Sequence, residues 1–316
     1  MKRKGYLYEE ICKHENIKNA FNKVAKNIKN KKKSGEARLK KTRIIQDIRD
    51  RLISKKGYEF SPVFKFTIYE PKKREITDMC IEDKIVNFLI AKHILCPVIL
   101  PCLIDTNVAS RKGLGTKEGI KYHVNSHKKY SRKYENYYIL KCDIHKFFVS
   151  IDKDILTQKL KRKIKDEKAM NIIMKVLDLQ EKGLPIGMMT SQILAIFYLN
   201  DFDHYIKEKL KVKRYVRYQD DFILFAYSKS KLQNFFKEIK LFLKKEKLTL
   251  NKSSRIFKNY NNYMFLGRNL KGRYIKGKNT FKKLKIKQKD YLKTKEGLFT
   301  YISLKTYYLN LIKDVN

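Results

Sequence analysis

The stretch RYVRYQDDFILFA, residues 214–226, places two adjacent aspartates, Asp220 and Asp221, inside an apolar and aromatic run. Runs rich in Val, Ile, Phe and Tyr are typical of strands that are buried on at least one face. A carboxylate in such a place costs several kcal/mol unless a partner neutralises it. The stretch therefore predicts a β-hairpin whose turn carries an acidic site with a cationic partner.

A third aspartate, Asp143, ends another predicted strand, which lies within NYYILKCDIHKFFVSID, residues 136–152. If the two strand regions are neighbours in one sheet, three carboxylates converge, and their mutual repulsion raises their pKa values. Divalent cations relieve that repulsion, and Mg²⁺ suits one or two carboxylates together with substrate phosphates. We therefore predict two Mg²⁺ ions, with Mn²⁺ as an alternative, that would support displacement at a phosphoryl group.

The balance of charge is strongly positive. The chain has 74 Lys and Arg residues against 32 Asp and Glu residues, a formal net charge of +42. Such a field attracts polyanions, and nucleic acid is the first candidate. Two alternatives stay open: lysine enrichment through an AT-rich genome, and attraction to an anionic membrane. The five cysteines form no CxxC pair, which favours reduced thiols and a cytoplasmic protein without a zinc knuckle.

One apolar stretch, residues 85–104, raises the question of a membrane span. Lys92 and His93 lie at its centre, and Pro97 and Pro101 follow. We therefore expect a buried helix and a turn rather than a span. The first ten residues, MKRKGYLYEE, lack the apolar region of a secretory signal. The sequence thus predicts a soluble, cytoplasmic protein with no membrane partner.

The order of predicted elements indicates the fold of the central region. From residue 136 onward the pattern predicts a strand, a polar helix over 153–178, a tight loop and helix within 183–210, and the hairpin. An amphipathic helix and short strands follow, and the whole order resembles a split βαβ layout with insertions. Upstream, residues 60–78 alternate apolar and polar side chains and predict a strand, a basic turn and a second strand.

These segments together resemble the motifs of reverse transcriptases of the prokaryotic type. KCDIHKFFVSID looks like their motif A, LPIGMMTSQ like motif B, RYQDDFIL like motif C and NKSSRIF like motif D. YEPKKREI with EDKIV resembles their fingers segment, and FLGRNL their primer-grip turn. The resemblance implies an α+β, right-hand polymerase fold. It has fingers over 1–135, a ferredoxin-like palm over 136–267, and a basic helical thumb over 268–316.

The same resemblance implies roles for individual residues. Asp143, Asp220 and Asp221 would be the catalytic residues. They would bind the metal ions together with the Ile144 carbonyl, with Asp143 and Asp220 as the main ligands and Asp221 completing the acidic cluster. Phe148 would lie under the sugar of the incoming nucleotide and exclude a 2′-hydroxyl, so that dNTPs are selected. An alternative is that the adjacent residues Phe147 and Phe148 are core residues, and we expect this of at least one of them.

Further residues would contact the nucleotide and the primer. Lys72 and Arg74 would hold the triphosphate through charge-assisted contacts, and Lys252 would protonate the leaving pyrophosphate. The remaining residues that we assign by resemblance are those of motif B at the nucleotide, Ile186, Gly187 and Gln192, and those of the primer grip, Phe265, Leu266 and Gly267.

The resemblance implies an RNA-directed DNA polymerase that takes template RNA, a cDNA/primer duplex and dNTPs as partners. Motif B reads Ile186-Gly187…Ser191-Gln192, which resembles the enzymes of diversity-generating retroelements. Those enzymes copy RNA with errors at adenines and work with a small basic accessory protein. Defence-associated, anti-phage reverse transcriptases are the open alternative, and retron enzymes rank third. A catalytically silent RNA-binding protein is the alternative outside the class, but the intact aspartates argue against it.

Overall fold

The structure is a computed structural model, and it describes residues 3–28, 30–69, 73–271 and 274–276. Its first described elements are helices whose apolar residues recur at helical spacing and are buried on one face, as Ile44, Ile45, Ile48 and Leu52 are. These helices are α1 (Leu7–Cys12), α2 (His14–Asn27), α3 (Lys31–Leu39) and α4 (Lys41–Ile53).

A two-stranded antiparallel hairpin follows, as its alternating sequence predicts. Strand β1 covers Phe64–Ile68 and β2 covers Arg74–Asp78, with Phe66 opposite Ile76. The basic turn between the strands includes residues 70–72, which lie outside the described residues. The two predicted strands are therefore confirmed.

The apolar stretch forms helix α5 (Ile81–Leu89), a π-helical turn (Ile90–Leu95), α6 (Cys96–Ile99) and a 3₁₀ turn (Leu100–Cys102). In length and composition this run, with a mean hydropathy of 1.9, qualifies as a membrane span, and 56% of its most apolar window is buried inside the protein. It packs against α2 and against the helix that begins at Met189. The irregular turns fall next to the prolines, which supply no N–H for a helical hydrogen bond. The described contacts are those of a core helix.

The central region contains a four-stranded antiparallel sheet with strand order β4-β5-β3-β6. This order, with helices between β3 and β4 and between β5 and β6, is the predicted ferredoxin-like topology. The elements are α7 (Thr116–Ser131), β3 (Tyr138–Asp143), α8 (Phe147–Ser150), α9 (Lys153–Lys161), α10 (Glu167–Asp178), α11 (Met189–Tyr198), α12 (Asn200–His204), a π-helical turn (Tyr205–Lys209), β4 (Arg214–Tyr218), β5 (Asp221–Ala226), α13 (Lys229–Lys245) and β6 (Arg255–Lys258).

The prediction of one helix over 153–178 is wrong, because α9 and α10 are separate helices. The side chain of Asp166 caps α10 by accepting from the Ala169 N–H at 3.0 Å. The other oxygen of that carboxylate accepts from the Leu7 and Tyr8 N–H groups at 2.7 and 2.8 Å. The break between the helices therefore attaches the N-terminal helices to the central region.

A three-stranded antiparallel sheet ends the described chain: β7 (Asn262–Phe265), β8 (Arg268–Lys271) and β9 (Tyr274–Lys276). The predicted helical thumb begins at residue 268, but its first described residues form two strands, of which β8 pairs with β7 and β9 pairs with β8. Residues 277–316, which make up most of that predicted thumb, lie outside the described residues.

The central sheet separates two hydrophobic clusters, and strand alternation assigns its residues between them. On β3, Leu140 and Cys142 belong to the larger cluster, whereas Ile139 belongs to the smaller one, which also contains residues of β7 and β8. The same alternation places Lys141 and Asp143 on the face of the smaller cluster. The end of that face is where the functional residues meet.

Candidate functional site

The aspartates of the two predicted strand regions lie side by side. In the register of β3 and β5, Asp143 is directly opposite Asp221, and Asp220 occupies the turn between β4 and β5. The N–H of Ile144 donates to the Asp220 carbonyl at 3.2 Å. The structure therefore brings together the acidic residues that the sequence singles out.

Asp143 is held by the segment that follows α13. The Asn251 side chain donates to Asp143 Oδ2 at 3.2 Å, and the Asn251 N–H donates to the Asp143 carbonyl at 2.7 Å. The hydroxyl of Ser254 accepts from the Asp143 N–H at 3.0 Å. The predicted residue of this segment is Lys252, but Lys252 is exposed and its neighbours make the contacts. Asn and Ser side chains in a turn are the signal that could have identified them.

The Asp221 carboxylate has other partners. Its Oδ1 lies 3.4 Å from Lys141 Nζ, and its Oδ2 accepts from the Leu266 N–H at 3.3 Å. Burial raises the pKa of Asp221 to about 7, while the Lys141 charge and the Leu266 N–H act in the opposite direction. Asp221 thus connects the sheet to the turn after β7. Lys141, two residues before Asp143 and on the same face, is a site residue that the sequence analysis misses.

The negative charge of Asp143 acts on the neighbouring carboxyl group of Asp220. Burial first, and then the negative charge of Asp143, raise the pKa of Asp220, while the charges of Lys141 and Arg74 lower it. Over the described parts of the chain, no group of three or more His, Cys, Asp and Glu side chains is arranged to hold a metal ion. A cation here would therefore be held by two carboxylates and a backbone carbonyl, a set of hard oxygens that fits Mg²⁺.

The structure describes some, but not all, of the residues that we predict to contact the nucleotide. Arg74 begins β2, is exposed, and acts on Asp220 through its charge. Lys72 lies outside the described residues. Phe147 is buried, whereas Phe148 on α8 is half-buried, and the two ring centroids are 5.8 Å apart. The expectation that at least one of them is a core residue is confirmed for Phe147.

Motif B joins the β1–β2 hairpin to the acidic turn. The Ile186 carbonyl accepts from the Thr77 N–H on β2 at 2.8 Å. Gly187 has φ +120°, and a Cβ atom there would lie 2.6 Å from the Thr77 carbonyl oxygen. Gln192 is exposed, and its carbonyl accepts from the Gln219 side chain at 3.5 Å. Gly187 is therefore required both for its backbone conformation and for the close approach of β2.

The residues of the predicted primer grip form a tight turn after β7. Phe265 is buried, while Leu266 and Gly267 adopt positive φ values of 47° and 73°. Because the Leu266 N–H donates to Asp221, this turn is attached directly to the acidic end of the sheet. The structure thus brings these three residues to the same site as Asp221.

A buried arginine, Arg217, donates a hydrogen bond to the acidic turn. It is not among the residues predicted from the sequence. Arg217 and Asp203 are fully buried and form two hydrogen bonds, Nε to Oδ1 at 2.7 Å and Nη2 to Oδ2 at 2.6 Å. Arg217 Nη1 also donates to the Gln219 carbonyl at 2.8 Å. A charged residue at a buried position of a strand is the signal that could have identified it.

A ferredoxin-like sheet with half-buried carboxylates at one end, close enough to the β1–β2 hairpin for the Arg74 charge to lower the pKa of Asp220, is the arrangement of the palm of a nucleotide-polymerising enzyme. The sequence profile of the family described as Reverse transcriptase (RNA-dependent DNA polymerase) matches residues 53–270. The chain belongs to this family, a class of nucleotidyltransferases. No curated protein matches the chain by sequence.

Solved structures with a similar fold include yeast telomerases. Apo telomerase from Candida tropicalis, truncated from its C-terminal domain, has a TM-score of 0.52 at 13% identity, over 72% of this chain and 56% of that one. Telomerase from Candida tropicalis in complex with a TWJ fragment of telomeric RNA has a TM-score of 0.53 at 14% identity, over 70% and 45%. That of Candida albicans with the same kind of RNA fragment has 0.50 at 13%, over 79% and 54%. The chain spans about half the length of these telomerases, and the similarity establishes the right-hand polymerase fold.

Proposed function

We propose that the protein copies an RNA template into cDNA by adding deoxynucleotides to a primer end. The observation that carries this proposal is the pairing of Asp143 and Asp220, two carboxyl groups held close enough for the charge of Asp143 to raise the pKa of Asp220. Such a pair is costly unless a cation joins it. Membership of the reverse transcriptase family supports the same reading.

The metal ligands in this proposal are Asp143, Asp220 and the Ile144 carbonyl. Bound Mg²⁺, as two ions and with Mn²⁺ as an alternative, would stabilise the charge on the phosphoryl group and activate the primer hydroxyl. Asp221 acts beside them by holding Lys141 and the primer-grip turn.

The other assignments concern the nucleotide. Arg74 lies where its charge reaches Asp220, and in the proposal it binds the triphosphate together with Lys72. Phe148 would exclude the 2′-hydroxyl, and Lys252 would donate a proton to pyrophosphate. Ile186, Gly187 and Gln192 would line the nucleotide because the loop at Ile186 contacts β2 and Gln192, in α11, contacts the acidic turn.

The proposed domains are fingers over 1–135, palm over 136–267 and thumb over 268–316. In this arrangement the basic thumb and fingers would track the template RNA and the cDNA/primer duplex, which suits the net charge of +42. Two of the similar telomerases are in complex with an RNA fragment, which agrees with RNA as the partner. A cytoplasmic location belongs to the same proposal.

For the biological role we propose an error-prone enzyme of a diversity-generating retroelement, with a small basic accessory protein as a further partner. The Ile-Gly form of motif B supports this role. An aliphatic side chain at Ile186 offers no hydrogen bond to the template–nucleotide pair, which would weaken discrimination. A defence-associated enzyme that makes cDNA against phage is the second candidate, because motif B of this chain also resembles that of such enzymes.

The experiment is to purify the protein from its native host and to sequence the RNA and cDNA bound to it, with Asp220→Asn as the control. One recurrent RNA with cDNA errors confined to template adenines supports the retroelement role. Faithful, repetitive or template-free cDNA on phage infection supports the defence role. RNA without cDNA, identical in the variant, would contradict the proposed polymerase.

A further inference from the structure

We infer that Arg217 is a positioning residue for the catalytic turn, residues 218–221. Through its buried ion pair with Asp203 it fixes the backbone that carries Asp220. The inference rests on the proposed function, because it assigns a role within the polymerase reaction. It concerns a residue that contacts neither the nucleotide nor a metal ion in that proposal.

The guanidinium of Arg217 uses each of its nitrogens. Nε and Nη2 bind the two Asp203 oxygens, Nη2 also donates to the Ile196 carbonyl at 3.0 Å, and Nη1 donates to the Gln219 carbonyl at 2.8 Å. Asp203 lies on α12 and Ile196 on α11. The rigid, planar fork of an arginine therefore sets the distance from two helices to the turn.

The turn needs such support because its backbone is strained. Gln219 has φ +55°, a left-handed conformation that residues with a side chain rarely adopt. Its side chain donates to the Ser110 hydroxyl at 2.9 Å, and its carbonyl is the one that Arg217 binds. The next carbonyl, that of Asp220, accepts from the Ile144 N–H. Relaxation at Gln219 would consequently move Asp220 relative to Asp143.

The anchor at the other end is rigid. Asp203 accepts from the Tyr215 hydroxyl at 2.6 Å and from the Asn107 side chain at 3.3 Å, in addition to Arg217. The Arg217 backbone also pairs with the loop before α7, with Arg217 N–H to the Thr106 carbonyl and Val108 N–H to the Arg217 carbonyl, both at 3.0 Å. Hydrogen bonds from Tyr215 and Asn107 thus fix Asp203. Hydrogen bonds with the loop before α7 fix Arg217 in β4.

Stability alone does not account for a buried ion pair at this place. Replacing such a pair by apolar residues of similar volume is often neutral or stabilising, because desolvation of the charges offsets their attraction. What an apolar pair cannot supply is a directed hydrogen bond to the Gln219 carbonyl. The main effect of the network is therefore to position the Gln219 carbonyl, and not to add folding free energy.

The test compares Arg217→Lys and Arg217→Met with a matched control, Lys159→Met. Lys159 is another buried cation, and its Nζ lies 2.8 Å from the Tyr198 carbonyl and 2.7 Å from Glu246 Oε2. Loss of Lys159 removes a buried charge without touching the turn. Lysine at 217 keeps the charge but cannot bind Asp203 bidentately while also reaching the Gln219 carbonyl.

The first readout is independent of activity: amide hydrogen exchange of Ile144 in the metal-free protein. We expect faster exchange at Ile144 in both Arg217 variants and unchanged exchange in Lys159→Met. The second readout is primer extension on an RNA template. We expect kcat to fall by about 100-fold in Arg217→Lys, as for a misplacement of roughly 1 Å, with a higher Mg²⁺ concentration at half-maximal rate. Lys159→Met should lower Tm alone.

Unchanged exchange at Ile144 and unchanged kcat in Arg217→Lys would overturn the inference. Equal losses of kcat in the Arg217 and Lys159 variants would also overturn it, because general destabilisation would then explain both. A wild-type protein that extends no primer would instead contradict the proposed function. The exchange measurement would still decide whether Arg217 holds the turn.

Discussion

Asp143 and Asp221 lie directly opposite each other at the end of the β3–β5 ladder, yet their carboxylates have different partners. Asp143 accepts from Asn251, whereas Asp221 is held by Lys141 and by the Leu266 N–H. The two carboxylates are therefore distinguishable by chemistry although they are neighbours in register. We infer that Asp143 serves the metal together with Asp220, and that Asp221 fixes the primer-grip turn.

This difference predicts unequal effects of two isosteric changes. Asp143→Asn should abolish synthesis. In Asp221→Asn the amide oxygen can still accept from the Leu266 N–H, but the charge facing Lys141 is lost. Breaking a partly buried ion pair costs less than breaking a fully buried one, which costs about 3–5 kcal/mol, so we expect a rate lower by roughly 10- to 100-fold. Single-nucleotide extension rates on an RNA template measure both. Equal inactivity of the two variants would contradict the division of roles.

Gly187→Ala should destabilise the contact between motif B and the β1–β2 hairpin. The backbone conformation at φ +120° is strained for alanine, and the new methyl group would meet the Thr77 carbonyl at 2.6 Å. Strain of this kind costs about 1–3 kcal/mol, so Tm and the affinity for dNTP should both fall.

Gly35→Ala is the matched control, because Gly35 lies within α3 and a Cβ there meets no atom within 4 Å. In an exposed helix this change should stabilise by about 0.5–1 kcal/mol. Thermal unfolding of the two variants should therefore shift in opposite directions. A Gly187→Ala protein with wild-type Tm and dNTP affinity would contradict the described contact.

Phe148→Ala should admit ribonucleotides if the half-buried ring of Phe148 excludes the 2′-hydroxyl. The ratio of kcat/KM for a dNTP to that for the matching rNTP should fall by about 10-fold or more, as the site loses a steric barrier. Phe147→Ala is the comparison: because Phe147 is buried, we expect a loss of about 3–5 kcal/mol in folding free energy. Strict rejection of ribonucleotides by Phe148→Ala would remove Phe148 from the proposed role.

His127 predicts a pH dependence of stability that is unrelated to the active site. Its ring nitrogens lie 2.7 Å from the Tyr137 hydroxyl and 2.9 Å from the Tyr263 hydroxyl, so it links α7 to β7. Burial, followed by the charge of His123, lowers the pKa of His127 from 6.5 to about 2. At a pH between these two pKa values, His127 is protonated in the unfolded chain but neutral in the folded protein. Stability is therefore complete above pH 6.5 and falls as the pH decreases below it.

Urea unfolding between about pH 5 and pH 8 measures this effect. For the wild type, the urea concentration at half-unfolding should decrease as the pH is lowered below 6.5. His127→Gln should be less stable at neutral pH, because it removes a ring that fits two hydroxyls, and its midpoint should depend less on pH. An identical pH profile in both proteins would show that His127 is not the group responsible.

The sequence predicts the central sheet because its strands are marked by apolar runs and its site by aspartates at their ends. Alternation on β3 and β5 then accounts for the meeting of Asp143 and Asp221. The Arg217–Asp203 pair could not be predicted in the same way, because it forms between a strand and a short helix that only tertiary packing brings together. The predicted helix over 153–178 includes Asp166 as an interior residue, whereas α9 ends at Lys161 and Asp166 caps α10. The strand at 268–271 depends on pairing with β7, and the strand at 274–276 on pairing with β8, and no local pattern marks either pairing.

In the proposed function, the paired carboxylates of Asp143 and Asp220 catalyse DNA synthesis on RNA. The most direct measurement is extension of a DNA primer annealed to an RNA template, with dNTPs and Mg²⁺, by the wild-type protein and by Asp220→Asn. We expect full-length cDNA from the wild type and none from the variant, while both keep the same Tm and the same salt-dependent affinity for the duplex. Equal synthesis by both proteins, or duplex binding without synthesis by either, would contradict the claim.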